Sequence, residues 1–139
     1  MLVKETIAKL IQKNQEVKTF IEEANSTGNP DAAIAAYANF LEQSNYNSSL
    51  SLSFTYVLQL GNDPVLIEQY ELNDIEKLYD SIIEVNSEWV DAYVDAANFA
   101  DAVMNNKQKA KDLVVNGIAQ LEAQLKELKE LSRSLEAEE

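Results

Sequence analysis

The sequence predicts an all-α fold, and three observations carry that prediction. Apolar residues recur at intervals of three and four along most of the chain; the 139 residues include only three glycines and two prolines; and both prolines stand where a helix would begin. Nothing pairs with the one segment that alternates like a strand.

The elements follow in order. Val3, Ile7, Leu10, Val17, Ile21 and Ala24 step at alternating intervals of four and three, with Asn14 in the one polar slot, which predicts a long amphipathic first helix. "STGNP" (Ser26 to Pro30) ends it, Gly28 being free to adopt the left-handed closing conformation. Asp31 and "AAIAAYANFLEQ" give a second, alanine-rich helix, followed by a polar break over "SNYNSS" (Ser44 to Ser49).

"SLSLSFTYVLQLGNDP" (Ser49 to Pro64) alternates apolar and polar residues as a β-strand does. An isolated strand would leave its backbone donors and acceptors unmatched, so the segment is read as a helix. At 100° per residue Leu50, Phe54, Val57 and Leu58 fall on one side, expected to pack the core. Leu52 and Tyr56 fall on roughly the opposite side, expected to face a binding groove.

Asp63-Pro64 caps and opens a short helix, and "NDIE" (Asn73 to Glu76) has capping-box spacing for another that ends near Asn86. Ser87 to Met104 reads as a small-residue-rich helix. A last long helix follows "NNK", with Val114, Ile118, Leu121, Leu125, Leu128 and Leu135 at heptad spacing and Ser132 interrupting.

Composition narrows the function classes. The chain has no cysteine and no histidine, which removes the thiol nucleophile, the usual neutral-pH proton shuttle and the commonest zinc ligands. No nucleophile-base pair, phosphate loop or alternating-aspartate cation loop is present, so no enzyme activity, cofactor or metal is expected. The net charge of −13 lies in the middle of the chain. Residues 19–106 carry Lys77 alone against fifteen acids, whereas residues 1–18 and 107–139 are nearly balanced. That balance argues against nucleic-acid and anionic-membrane partners, and a basic partner is the sharper expectation. The start "MLVKETIAKLIQKNQ" lacks the apolar core of a signal peptide, and a cytoplasmic location is expected.

A repeat organises these helices. In a first pair Val17, Phe20, Ile21 and Ala24 precede Gly28, and Ala33, Ile34, Tyr37, Phe40 and Leu41 follow it. Phe54 and Leu58 with Ile75, Tyr79, Ile82 and Ile83 form a second, and Tyr93, Ala96, Ala97 and Ala100 with Ala110, Val114, Gly117 and Ile118 a third. The sequence resembles the tetratricopeptide repeat (TPR) family in this order of large, large, small, turn, small, aromatic and bulky pair. The closing prolines of that family are replaced by Asn45 and Ser87, and an ordinary antiparallel bundle is the competing arrangement.

The resemblance implies one domain over 1–139. Its three antiparallel pairs, at about 2–44, 49–86 with an insertion at 64–72, and 88–138, would stack as a short right-handed superhelix with long first and last helices. It also implies binding through a concave surface lined by Lys18, Glu22, Leu52, Tyr56, Gln59, Asp91, Val94, Asn98 and Asp101, an apolar centre with acidic edges suited to a basic or amphipathic peptide or helix. The expected function is therefore a non-enzymatic protein-protein interaction adaptor. The alternative is a structural scaffold that self-associates through its heptad-patterned terminal helices.

Overall fold

The computed structural model describes residues 2–44 and 47–138. Asn45 and Tyr46, part of the polar break expected over 44–49, lie outside the described residues. Within them the chain forms seven helices and no strand: α1 (Val3–Ser26), α2 (Pro30–Gln43), α3 (Ser48–Leu60), α4 (Pro64–Ile67), α5 (Leu72–Val85), α6 (Val90–Ala102) and α7 (Lys107–Ala137). The helices divide into two compact units, Met1–Val85 and Asn86–Glu139.

Local signals set the boundaries in the first unit. Gly28 takes a positive φ of 65° after α1, and the Asn29 side chain accepts from the N–H groups of Asp31 and Ala32 to cap α2, with Pro30 at its first turn. Asp63 caps α4 by accepting from the Val65 N–H at 2.9 Å. The start of α5 lies earlier than the expected "NDIE" box. The Asp74 carboxylate reaches back to the Glu71 N–H at 2.9 Å, the same i to i+3 spacing shifted two residues toward the N-terminus.

The core of this unit is the seam between α1 and α5, with α3 packed on α5 as well. Ile7 from α1 and Ile75, Leu78 and Ile82 from α5 are essentially inaccessible. Each such side chain contributes about 1.5–3 kcal/mol of transfer free energy. α1 and α5 run parallel, because Lys4 pairs with Asp74 at 3.7 Å and Asn14 with Ser81 at 2.9 Å farther along both helices. The α1 N-terminus is tied down by the Val3 N–H, which donates to Gln69 Oε1 at 2.9 Å. α2 touches α1 only near the hairpin. Phe20 stacks on Phe40 with centroids 4.2 Å apart and meets the edge of Tyr37 at 5.0 Å, and no residue of α2 is buried. Ile34 and Leu41, expected on the inner face of the first pair, are each 67% exposed. α1 spends its apolar stripe on α5, which leaves α2 only the Phe20 region to cover.

The face of α3 is the second correction. Ser51, Leu52, Thr55 and Leu58 point inward, whereas Leu50 and Val57, expected in the core, are exposed. The buried hydroxyls cost little here. Thr55 Oγ1 donates to the Leu52 carbonyl and Ser51 Oγ to the Asn47 carbonyl, so each is satisfied within its own helix while its small size lets α3 approach α5. Side-chain bonds fix the approach: Gln59 Nε2 donates to the Tyr79 hydroxyl at 2.9 Å, and the Tyr70 hydroxyl donates to the Leu58 carbonyl at 2.6 Å.

The second unit is the antiparallel pair of α6 and α7. Ala92, Tyr93, Ala96, Ala97, Phe99 and Ala100 form the buried face of α6, and Ala110 and Gly117 the closest points of α7. A Cβ on Gly117 would stand 3.0 Å from Tyr93 Cβ, so glycine permits this approach. The connection turns at Asn105, whose φ is 53°, and the Asn106 side chain caps α7 by accepting from the Lys109 N–H. Lys107 and Asp101 meet at 3.6 Å at one end of the pair, and the Gln124 amide donates to the Glu88 carbonyl at the other. The 88–102 segment therefore covers α7 only as far as Gln124. Every described residue from Leu125 onward is exposed.

Candidate functional site

The nine residues expected to line a groove are distributed over both units. Lys18 and Glu22 stand one turn apart on α1, half-buried and exposed respectively. Leu52 is 8% exposed and belongs to the α3–α5 interior, so its expected place in the groove is corrected. Tyr56, on the same helix, is 58% exposed. Gln59 is exposed, but its amide is committed to Tyr79 and to the Thr55 carbonyl.

On α6 the structure does bring residues together. Asp91, Val94, Asn98 and Asp101 recur at i, i+3, i+7 and i+10 and are all exposed, on the side away from the face that meets α7. Asp101 is held by Lys107 at the chain reversal. Asp95 lies one turn from Asp91, and its carboxyl is held above the ordinary aspartate range by partial burial first and by the Asp91 charge second. Burial also raises Tyr93, whose hydroxyl donates to the Ser87 carbonyl at 2.8 Å. Among the described residues no three acidic side chains converge as a metal site.

Two exposed apolar surfaces stand out beyond those nine residues. Leu50, Val57 and Leu60 align along α3 with Tyr56 beside them. The alternation of Ser49 to Leu60 had signalled two apolar faces; the small polar residues Ser51 and Thr55, spaced one turn apart, marked which face could approach another helix. The second surface runs along α7, where Val114, Ile118, Leu121, Leu125, Leu128, Leu131 and Leu135 are all about half exposed or more. The heptad spacing expected of this helix is thus unaccompanied by any covering helix of its own unit beyond Gln124.

No helix among the described residues is long and apolar enough to cross a membrane. Comparison with protein-family models, curated proteins and solved structures finds no match.

Proposed function

We propose that the protein is a non-enzymatic protein-protein interaction module that docks a basic or amphipathic helix on α3. The observation that carries this reading is the exposed row of Leu50, Val57 and Leu60 with Tyr56, four large apolar side chains on a single helix. The unit bearing them has five lysines against thirteen acids, a net charge of −8. Apolar burial would supply affinity, and the acidic surroundings would orient a Lys- or Arg-flanked stripe and raise its on-rate. The TPR-like reading of the helix pairs, and with it an adaptor role, finds its best support in α6 and α7. There the small and aromatic positions Tyr93, Ala96, Ala97, Ala100, Ala110 and Gly117 are buried, whereas Val114 and Ile118, expected on the same inner face of α7, are 48% and 51% exposed. The parallel seam of α1 and α5 is a feature the pattern did not anticipate.

A titration with two synthetic helical peptides tests the docking reading, one with lysines flanking a leucine stripe and one with glutamates in their place. The expected result is that only the lysine peptide shifts backbone amide resonances of residues 50–60, and that Val57→Glu with Leu60→Glu abolishes the shifts while far-UV circular dichroism is unchanged. Equal binding of both peptides, or shifts confined to α7, would overturn it.

The exposed stripe of α7 favours a second reading, self-association through this helix.

A further inference from the structure

We infer that α7 pairs with α7 of a second copy as an antiparallel two-stranded coiled coil whose two-fold axis passes between Lys126 and Glu127. The inference rests on the self-association reading and adds its partner, direction and register.

The seam positions are Ile118, Leu121, Leu125, Leu128, Ser132 and Leu135, alternating by three and four, and the five aliphatic ones are 49–65% exposed. About this axis Leu125 faces Leu128 of the second copy, Ile118 faces Leu135, and Leu121 faces Ser132, each layer occurring twice. Charge selects this register. On one flank of the seam stand Glu122 and Lys129, exposed and seven residues apart beside Leu125. In the antiparallel pair these flanking positions meet across the interface, so Glu122 of each copy lies opposite Lys129 of the other.

Neighbouring arrangements lose that match. Sliding one helix along the other by one heptad, which moves the axis half a heptad toward the N-terminus, sets Glu122 against Glu122 of the second copy, and the same slide in the other direction sets Lys129 against Lys129 and Glu122 against Glu136. A parallel, in-register pair places Glu122, Lys129 and Glu136 opposite Gly117, Gln124 and Leu131, with no opposite charges joined. Length agrees as well. The 88–102 segment covers α7 only to Gln124, so the uncovered 125–138 stretch of each copy would lie along the 115–128 stretch of the other. The paired segment of roughly 24 residues spans about 36 Å.

Sedimentation equilibrium on the full chain at concentrations up to about 100 μM tests this with charge variants. The wild type is expected to dimerise, and Glu122→Lys alone or Lys129→Glu alone to weaken dimerisation about tenfold by placing like charges opposite each other twice. The double exchange, or an equimolar mixture of the two single variants, restores it, because every facing pair is again of opposite sign. A monomeric wild type overturns self-association and the register together. A dimer that ignores all four charge states overturns the register alone, whereas ready disulfide formation between two copies of Leu128→Cys, which a parallel pair would bring face to face, overturns the antiparallel direction and with it the register.

Discussion

Asn14 Nδ2 donates to Ser81 Oγ across 2.9 Å inside the parallel seam of α1 and α5. Asn14 is 1% exposed, and its Oδ1 has no hydrogen-bond partner among the described residues. Ser81 does not depend on the amide, since its hydroxyl also donates to the Leu78 carbonyl at 2.8 Å. The pair thus carries an unrecovered desolvation cost on the asparagine side only.

Asn14→Leu should therefore raise stability by about 1 kcal/mol, since it removes a buried acceptor without stranding a partner and keeps the number and branching of side-chain heavy atoms. Urea denaturation followed by far-UV circular dichroism measures it, and a midpoint lower than that of the wild type would show that the amide contributes more than it costs. The same change should loosen the register of α1 on α5, because a polar residue at a single seam position discriminates between alignments.

The observed face of α3 makes a paired prediction. Leu52→Ala should cost about 2–4 kcal/mol, the range for truncating a buried leucine. Leu50→Ala, on the exposed face, should stay within about 0.5 kcal/mol of the wild type. Denaturation midpoints in the reverse order would restore the face that the alternation first suggested.

Gly117 offers a test in the second unit. Gly117→Ala gains up to about 1 kcal/mol of helix propensity but sets a methyl 3.0 Å from Tyr93 Cβ, so the two effects should nearly cancel. Gly117→Leu cannot be accommodated there and should cost about 1–3 kcal/mol. Trp89, half-buried at the entrance to α6, reports this unit by its fluorescence.

Asp95 gives a pH dependence whose sign is fixed. Its carboxyl titrates above the ordinary aspartate range in the folded chain, because of burial and then Asp91, so the folded state holds the proton more tightly than the unfolded state. The resulting penalty is full at neutral pH, where both states are ionised. It fades as the pH falls through the raised folded value toward the unfolded value. Asp95→Asn should consequently be more stable than the wild type at pH 7, and the advantage should shrink on acidification toward about pH 4. Denaturation midpoints of both proteins across that range check it; a constant difference would assign the effect to something other than ionisation.

What could be read from the sequence divides along local and non-local lines. The C-terminal end of α1, the turn at Gly28 and the Asp63-Pro64 start of α4 were legible because capping and turn chemistry involve residues within four positions of each other. The buried slot of Asn14 was legible as an interruption in a periodic seam. Which helix that seam would face was not, since periodicity marks a stripe and says nothing of its partner: α1 chose α5 over α2, leaving Ile34 and Leu41 in solvent. For α3, counting apolar residues favoured Leu50 and Val57. Steric access favoured Ser51 and Thr55, whose hydroxyls bond inside the helix, and access prevailed. Of the expected binding residues, the α6 quartet shares one face because its spacing is helical. Leu52 went astray with the face of its helix.

The 31 residues of α7 extend for roughly 46 Å, of which the stretch after Gln124 receives no cover within its own unit. A free segment of some thirteen residues is marginal as an isolated helix in water. Amide hydrogens of α7 should accordingly exchange at two rates, slowly up to Gln124 and rapidly beyond it. If a second copy supplies the missing cover, the fast group slows as the protein is concentrated, which makes the helicity of one segment a gauge of how many neighbours the molecule has.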